Sequence, residues 1–209
     1  MIKVHHLNNS RSQRILWMLE ELAVPYEIIS YKRNPETHLA PDSLKAVHPL
    51  GKSPVMEDGN VIIAESGAII DYLIRTYGNG NFAPDTSSAE YNSYVEWLHY
   101  GEGSAMLPLM LGLYVGRLGE AGAPLQPRIQ SEFINHFSYM AKSLGGRSFF
   151  VGDSLTGADV QLVFVLEAAN VRGALSNFPN LDAYLKNMQA RPAYKRAIER
   201  GGVYQLGSA

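Results

Sequence analysis

The 209-residue chain is long enough for one large domain or two small ones, and its 18 basic residues against 20 acidic ones form no basic block, so no nucleic-acid partner is expected. It contains no cysteine, which excludes disulfides, thiolate metal sites and a thiol nucleophile of its own; any sulfur chemistry must use a sulfur brought by a ligand. No charged segment followed by an apolar one opens the sequence, and no apolar run approaches the roughly 20 residues of a membrane span, so a cytoplasmic protein without a membrane partner is expected.

Ile2, Val4 and Leu7 mark a first strand over residues 2–7. Ile15, Leu16, Leu19 and Leu22 then share one face of a helix from Ser12 to Val24, which Pro25 stops. Tyr26 to Tyr31 alternates as a second strand, giving a β-α-β unit with parallel strands and a right-handed crossover. The polar stretch from Arg33 to Leu50 holds a short irregular helix around Asp42 to Ala46. Pro54 to Glu65 reads as a hairpin turning on Asp58-Gly59-Asn60, and Ser66 is the candidate cap of a helix that buries Ile69, Ile70 and Leu73. The predicted order is β-α-β-α-β-β-α over residues 1–79, followed by a linker over residues 80–87.

Residues 88–209 show only helical periodicity, hence an α/β domain followed by an all-α one. A long helix from Ala89 to Val115 is expected to bend near Gly101, Gly103 and Pro108, and a second runs from about Pro127 to Leu144. Thr156 and Asp159 have capping-box spacing, with Leu155 and Val160 as a hydrophobic staple, for a helix to about Asn170 that is apolar nearly all round and therefore central. Two more helices open on Pro179 and Pro192.

Between the first strand and helix lies Asn8-Asn9-Ser10-Arg11-Ser12, a hydroxyl-rich turn at a helix mouth, where orphan N–H groups and the helix dipole suit an anion. Asn9, Ser10 and Ser12 can each donate a hydrogen bond to it, and Ser12 also suits a plain helix cap. Six histidines show no metal-like spacing, so no metal site is assigned.

This turn before an Arg-bearing helix, Gly51-Lys52-Ser53-Pro54 before the hairpin, Glu65-Ser66 opening the next helix and Leu155-Thr156-Gly157-Ala158-Asp159 together resemble the glutathione S-transferases, over essentially the full length. The resemblance implies a thioredoxin-like first domain, a homodimer and glutathione as co-substrate. It implies a cis bond at Ser53-Pro54 that leaves the backbone of Ser53 to pair with the cysteinyl peptide of glutathione. It implies that Ser66 holds the γ-glutamyl carboxylate; Glu65 beside it is either a partner for the ammonium or a support for the strand end, and Lys52 is either a partner for the glycine carboxylate or a solvated surface lysine.

The protein would then favour the ligand's thiolate and direct it to a small apolar electrophile, in a detoxifying conjugation or in reduction of a peroxide. Counting from Arg14 as in serine-type members puts the catalytic hydroxyl on Ser10; counting as in glutaredoxin-like members puts the active position on Asn9 and a second one on Ser12. Arg11 departs from the family pattern and is either a contact for an anionic group or a surface cation. The family takes its second substrate in a cleft lined from the first helix of the helical domain, where Tyr94 and Trp97 are candidates. Asp159 reads as a structural cap. The alternative reading is a non-catalytic binding module on the same fold.

Overall fold

The computed structural model describes residues 1–206. In chain order the elements are β1 (Ile2–Leu7), α1 (Ser12–Leu22), β2 (Tyr26–Tyr31), β3 (Val55–Asp58), β4 (Val61–Ala64), α2 (Ser66–Tyr77), α3 (Glu90–Tyr100), α4 (Met106–Gly116), α5 (Gln126–Leu144), α6 (Gly157–Asn170), α7 (Pro179–Gln189) and α8 (Pro192–Gly201). The stretch around Asp42 to Ala46, expected as a short irregular helix, is a 3-10 helix anchored by the buried Leu44. Two compact units result: Met1–Ala83 together with residues 188–206, and Pro84–Asn187.

In the first unit the sheet order is β2-β1-β3-β4, with β1 and β2 parallel and the β1–β3 and β3–β4 pairs antiparallel. α1 carries Ile15, Leu16, Trp17, Met18 and Leu19 into the core. It ends two residues before the expected Val24 because Ala23 turns left-handed at φ 53°, closing the helix ahead of Pro25. The hairpin tip is tied to α2, since the hydroxyls of Tyr72 and Tyr77 both donate to Asp58. That carboxylate pushes the Tyr77 phenol up to about 12, its hydrogen bond acting together with burial.

Residues 88–209 were expected to form one helical domain, but α8 belongs to the first unit. The reason is electrostatic and aromatic. Arg191 binds Glu21 through two nitrogens at 2.7 and 3.0 Å, and Arg196 and Arg200 each donate to Glu20 at 2.8 Å. Arg200 also lies 3.8 Å over the Tyr26 ring, and Tyr194 meets Trp17 edge-on at 5.4 Å. Sequence periodicity reveals that α8 is amphipathic, not which partner its basic face will find.

In the second unit the long first helix passes from α3 to α4 through a π-helical turn at Gly101–Ala105, where the bend near Gly101 and Gly103 was expected, and Pro108 lies in the first turn of α4. Gly101 faces α6 so closely that a Cβ would lie 3.1 Å from the Gln161 side chain. As its sequence predicts, α6 is buried on nearly every face. Its capping box is complete, with both Leu155 and Val160 buried. One Asp159 oxygen accepts the Thr156 N–H and hydroxyl at 2.8 Å; the other accepts the Phe150 N–H at 2.9 Å and the Tyr184 hydroxyl at 2.8 Å. Burial raises the pKa of this carboxyl, against the pull of those four donors.

Two predictions follow from these contacts. Asp159→Ala strands two buried N–H groups and is expected to destabilise the protein by about 3 kcal/mol or more, read as a lowered denaturation midpoint in urea. Burial raises the Glu20 carboxyl, but hydrogen bonds from Arg196, Arg200 and Tyr26 outweigh it, so its folded pKa lies below the ordinary 4.5. A depressed carboxyl contributes stability above its unfolded pKa and loses it as pH falls through the folded value. Glu20→Gln is therefore expected to remove part of the acid-induced loss of stability. Its size is held to about 1 kcal/mol because the partner arginines are half exposed. Unchanged acid sensitivity of the unfolding midpoint would refute this.

Candidate functional site

The sheet topology collects the sequence motifs of the first unit at one end. β1 runs to Leu7 and continues into the Asn8–Arg11 turn; β3, antiparallel to it, begins there just after Pro54; β4 pairs Ala64 with Val55 and hands over at once to α2. The turn, Ser53-Pro54 and Glu65-Ser66 thus meet, although they lie more than 40 residues apart at the extremes.

The Ser53-Pro54 bond is cis. Pro54 has no N–H for the ladder, and the Ser53 hydroxyl takes over the stitching: it donates to the His5 carbonyl at 2.7 Å and accepts the Leu7 N–H at 3.2 Å. The side chain of Ser53 is therefore committed to β1, and what Ser53 has for a ligand is backbone.

The mouth of α1 differs from the expectation of open N–H groups. Ser12 N–H donates to Ser10 Oγ at 3.2 Å, Gln13 N–H to the Ser10 carbonyl at 3.2 Å, and Arg14 N–H to the Arg11 carbonyl at 3.3 Å. The capping oxygen comes from Ser10, not from Ser12. Ser12 is instead wholly buried, its hydroxyl 2.8 Å from His6 Nδ1, 2.8 Å from Ser10 Oγ and 3.3 Å from both the N–H and the carbonyl of Leu7. It is thus a joint between strand and helix. Ser10 remains the hydroxyl at the edge of this cluster, 8% exposed.

Asn9 turns left-handed at φ 51°, a conformation its short polar side chain tolerates. Its amide is paired with the C-terminal segment: Oδ1 accepts the Gln205 N–H at 2.7 Å and Nδ2 donates to Gln205 Oε1 at 3.1 Å. The carbonyls of Asn8 and Asn9 are held by the Arg33 guanidinium at 3.2 and 2.9 Å. Arg33 escaped the sequence reading because it lies in a polar, Pro-rich loop without periodicity, where nothing marks one cation above another.

α2 presents a different mouth. The helix begins with the Ile69 N–H on the Glu65 carbonyl, and among the described residues the Ser66 and Gly67 N–H groups ahead of it have no backbone partner. Arg14, buried within α1, donates to Ser66 Oγ at 2.9 Å. Since a guanidinium only donates, Ser66 keeps its own hydroxyl hydrogen for an anion, with a positive charge behind it. Glu65, at φ 69° and ψ 116°, is a strained non-glycine residue that leaves its carboxylate exposed beside this mouth. Arg14 served the sequence reading only as a landmark; that it reaches α2 is a tertiary fact.

Lys52 is an exposed side chain next to this end of the sheet, and Arg11 is half-buried where α1 begins. Tyr94 and Trp97, expected as substrate contacts, are 1% and 3% exposed. Trp97 packs against Tyr100, Tyr139 and Phe150 of its own unit, and the Tyr94 ring lies against Tyr91. Helical spacing marked them as buried-face residues, and core packing is what that spacing delivers here. Among the described residues no group of three or more His, Asp or Glu side chains has metal-binding geometry.

Comparison with known proteins identifies the family. Residues 1–75 match the family model of the glutathione S-transferase N-terminal domain, and residues 123–200 a model of the C-terminal domain. Glutathione S-transferase 3 of Schizosaccharomyces pombe is 37% identical, over 96% of this chain and 88% of its own. A crystal structure of a glutathione S-transferase from Actinobacillus pleuropneumoniae superposes with a TM-score of 0.90 at 38% identity, covering 99% of this chain and 95% of that one. A glutathione transferase family member from Pseudomonas fluorescens, solved with two glutathione molecules bound, superposes with a TM-score of 0.78 at 27% identity, covering 94% of this chain and 91% of that one. A relative this similar over nearly the whole chain, with a family model on each half, establishes that the protein belongs to the glutathione S-transferase family.

Proposed function

We propose that the protein binds glutathione in its first unit, holds it as the thiolate and transfers it to a small apolar electrophile. The observation that carries this reading is the pair of unlike helix mouths at one end of the sheet. At α2, unpaired N–H groups, the Ser66 hydroxyl and the Arg14 charge suit a carboxylate, the γ-glutamyl one. At α1, the N–H groups of Ser12, Gln13 and Arg14 are paired, and Ser10, 8% exposed against 0% for Ser12, carries the hydroxyl nearer solvent, which suits a single, weakly hydrated acceptor such as sulfur. The peptide between these two groups would run past the backbone of Ser53, with Glu65 taking the ammonium and Lys52 the far carboxylate.

Ser10 is favoured over Asn9 and Ser12 for contact with sulfur. The Asn9 amide is tied to Gln205 on both its atoms, and Ser12 is out of a ligand's reach. Family resemblance further supports a homodimer and a cytoplasmic, detoxifying role, and sedimentation tests the first of these.

Titration with glutathione, following thiolate absorbance as pH is lowered, tests the reading. The bound thiol is expected to ionise well below its ordinary value near 8.5. Binding without that shift would favour a non-catalytic module. Ser10→Ala is expected to lower turnover by roughly 10- to 100-fold, the worth of one hydrogen bond to a charged acceptor at about 1.5–3 kcal/mol. Asn9→Ala should cost far less; a loss confined to Asn9→Ala would overturn the assignment.

A further inference from the structure

His6 has no role in the site as described, yet it stands at the inner end of a line of hydrogen bonds that surfaces at Ser10. The direction of every bond in that line can be deduced. Its Nε2 lies 3.1 Å from the Gly201 carbonyl, which can only accept, so Nε2 carries a hydrogen. Burial lowers the pKa of His6, with the Gly201 hydrogen bond acting the other way, so the resting ring is neutral and Nδ1 is an acceptor. Of the two acceptors within reach of the Ser12 hydrogen, Nδ1 at 2.8 Å is nearer than the Leu7 carbonyl at 3.3 Å, so Ser12 is taken to donate to Nδ1. Its hydrogen being used, Ser12 can only accept from Ser10 across their 2.8 Å contact. In the resting protein the Ser10 hydrogen points inward, and a thiol arriving at α1 meets an oxygen lone pair.

At the far end burial disfavours a positive charge on the ring, and the Gly201 carbonyl works against that penalty. Gly201 is the last residue of α8, where the helix dipole is negative and favours a cation. Gly201 is tightly packed: a Cβ there would lie 2.7 Å from Gln13 Oε1 and 2.9 Å from Leu16 Cδ1, so those side-chain ends would have to shift. The α1 side chain that meets this ring, Ser12, is uncharged, as is Ser30, its register partner on β2. Among the described residues the only hydrogen-bond partners of the ring are Ser12 and Gly201.

We propose that Ser10, Ser12 and His6 form a proton relay that accepts the proton of the bound thiol, with His6 as its terminus; this rests on the reading of Ser10 as the group that meets sulfur. The S–H bond breaks as an O–H bond forms on Ser10. The original Ser10 hydrogen passes to Ser12, and that of Ser12 passes to His6 Nδ1. The electron pair stays on sulfur, giving thiolate, and the imidazole becomes imidazolium. Both serines end neutral with their hydroxyls reversed, so that Ser10 now donates to the thiolate. His6 never touches the ligand; it is a positioning residue acting through two hydroxyls.

The test is nitrogen NMR of the full-length protein with labelled histidine at neutral pH, alone, with glutathione and with S-methylglutathione, which has no S–H proton. Free protein should show His6 protonated on Nε2 only. Glutathione should move Nδ1 into the protonated range, and S-methylglutathione should leave it unprotonated. An Nδ1 that stays unprotonated with glutathione bound overturns the relay alone, whereas no binding of either ligand overturns the reading of the site and the relay with it. In a second measurement, His6→Gln retains an amide donor and acceptor but no basic nitrogen. The thiol pKa of glutathione bound to it should rise by about one unit, so that the thiolate fraction falls about tenfold at a pH below both values; an unchanged thiol pKa would also overturn the relay.

Discussion

Where a strand ends and a helix begins, backbone groups of both are left without partners at the same place, and in the first unit the Ser12 hydroxyl serves them together. It accepts the Leu7 N–H, lies within reach of the Leu7 carbonyl and touches the Ser10 hydroxyl and the His6 ring, with no exposure to solvent. An apolar residue of similar size would leave several buried polar groups unpaired, each costing on the order of 1–3 kcal/mol. The position of the turn, and of Ser10 at its outer edge, follows from this one joint. Ser53 plays a smaller version of the same part on the neighbouring strand, where its hydroxyl replaces the ladder bonds that Pro54 cannot make.

The C-terminal part of the chain completes the turn from the other side. α8 is drawn onto α1 by three arginines meeting Glu20 and Glu21, and this places the Gly201 carbonyl on His6 and Gln205 on Asn9. Of the three polar candidates in the turn, two are thereby spent on the fold, one by burial and one by pairing. The pairing of Asn9 and the burial of Ser12 leave Ser10 as the residue of the three that carries a hydroxyl nearest solvent.

Much of this was legible in the sequence because it is local. The β-α-β start, the hairpin on Asp58-Gly59-Asn60 and the α6 capping box depend on residues a few positions apart, and periodicity or turn chemistry reveals them. The motif residues at Ser10, Ser53 and Ser66 could be named, but not their roles. Which serine caps α1, whether a hydroxyl or a backbone group is left over, and how Arg14 reaches Ser66 are decided by contacts across the sheet. Arg33, His6 and the partner of α8 escaped for the same reason. Tyr94 and Trp97 show the converse: their helical spacing was visible, but spacing alone does not separate a core face from a ligand face.

Each unit starts a central helix with a buried polar group, and the two solutions differ in a way that bears on function. Asp159 is met by four donors and has no exposed edge, so its hydrogen bonds have nothing to exchange with and serve the fold alone. Ser12 belongs to a line of groups that both donate and accept, closed at the inner end by a carbonyl and open at the outer end through Ser10. A carboxylate fixed by donors has one state. Hydroxyls in series with an imidazole have two, of opposite direction, which differ by the position of one proton. That difference is the physical ground on which Asp159 is read as structural and the Ser10–Ser12–His6 line is proposed to move a proton, although both are buried polar clusters at a helix start.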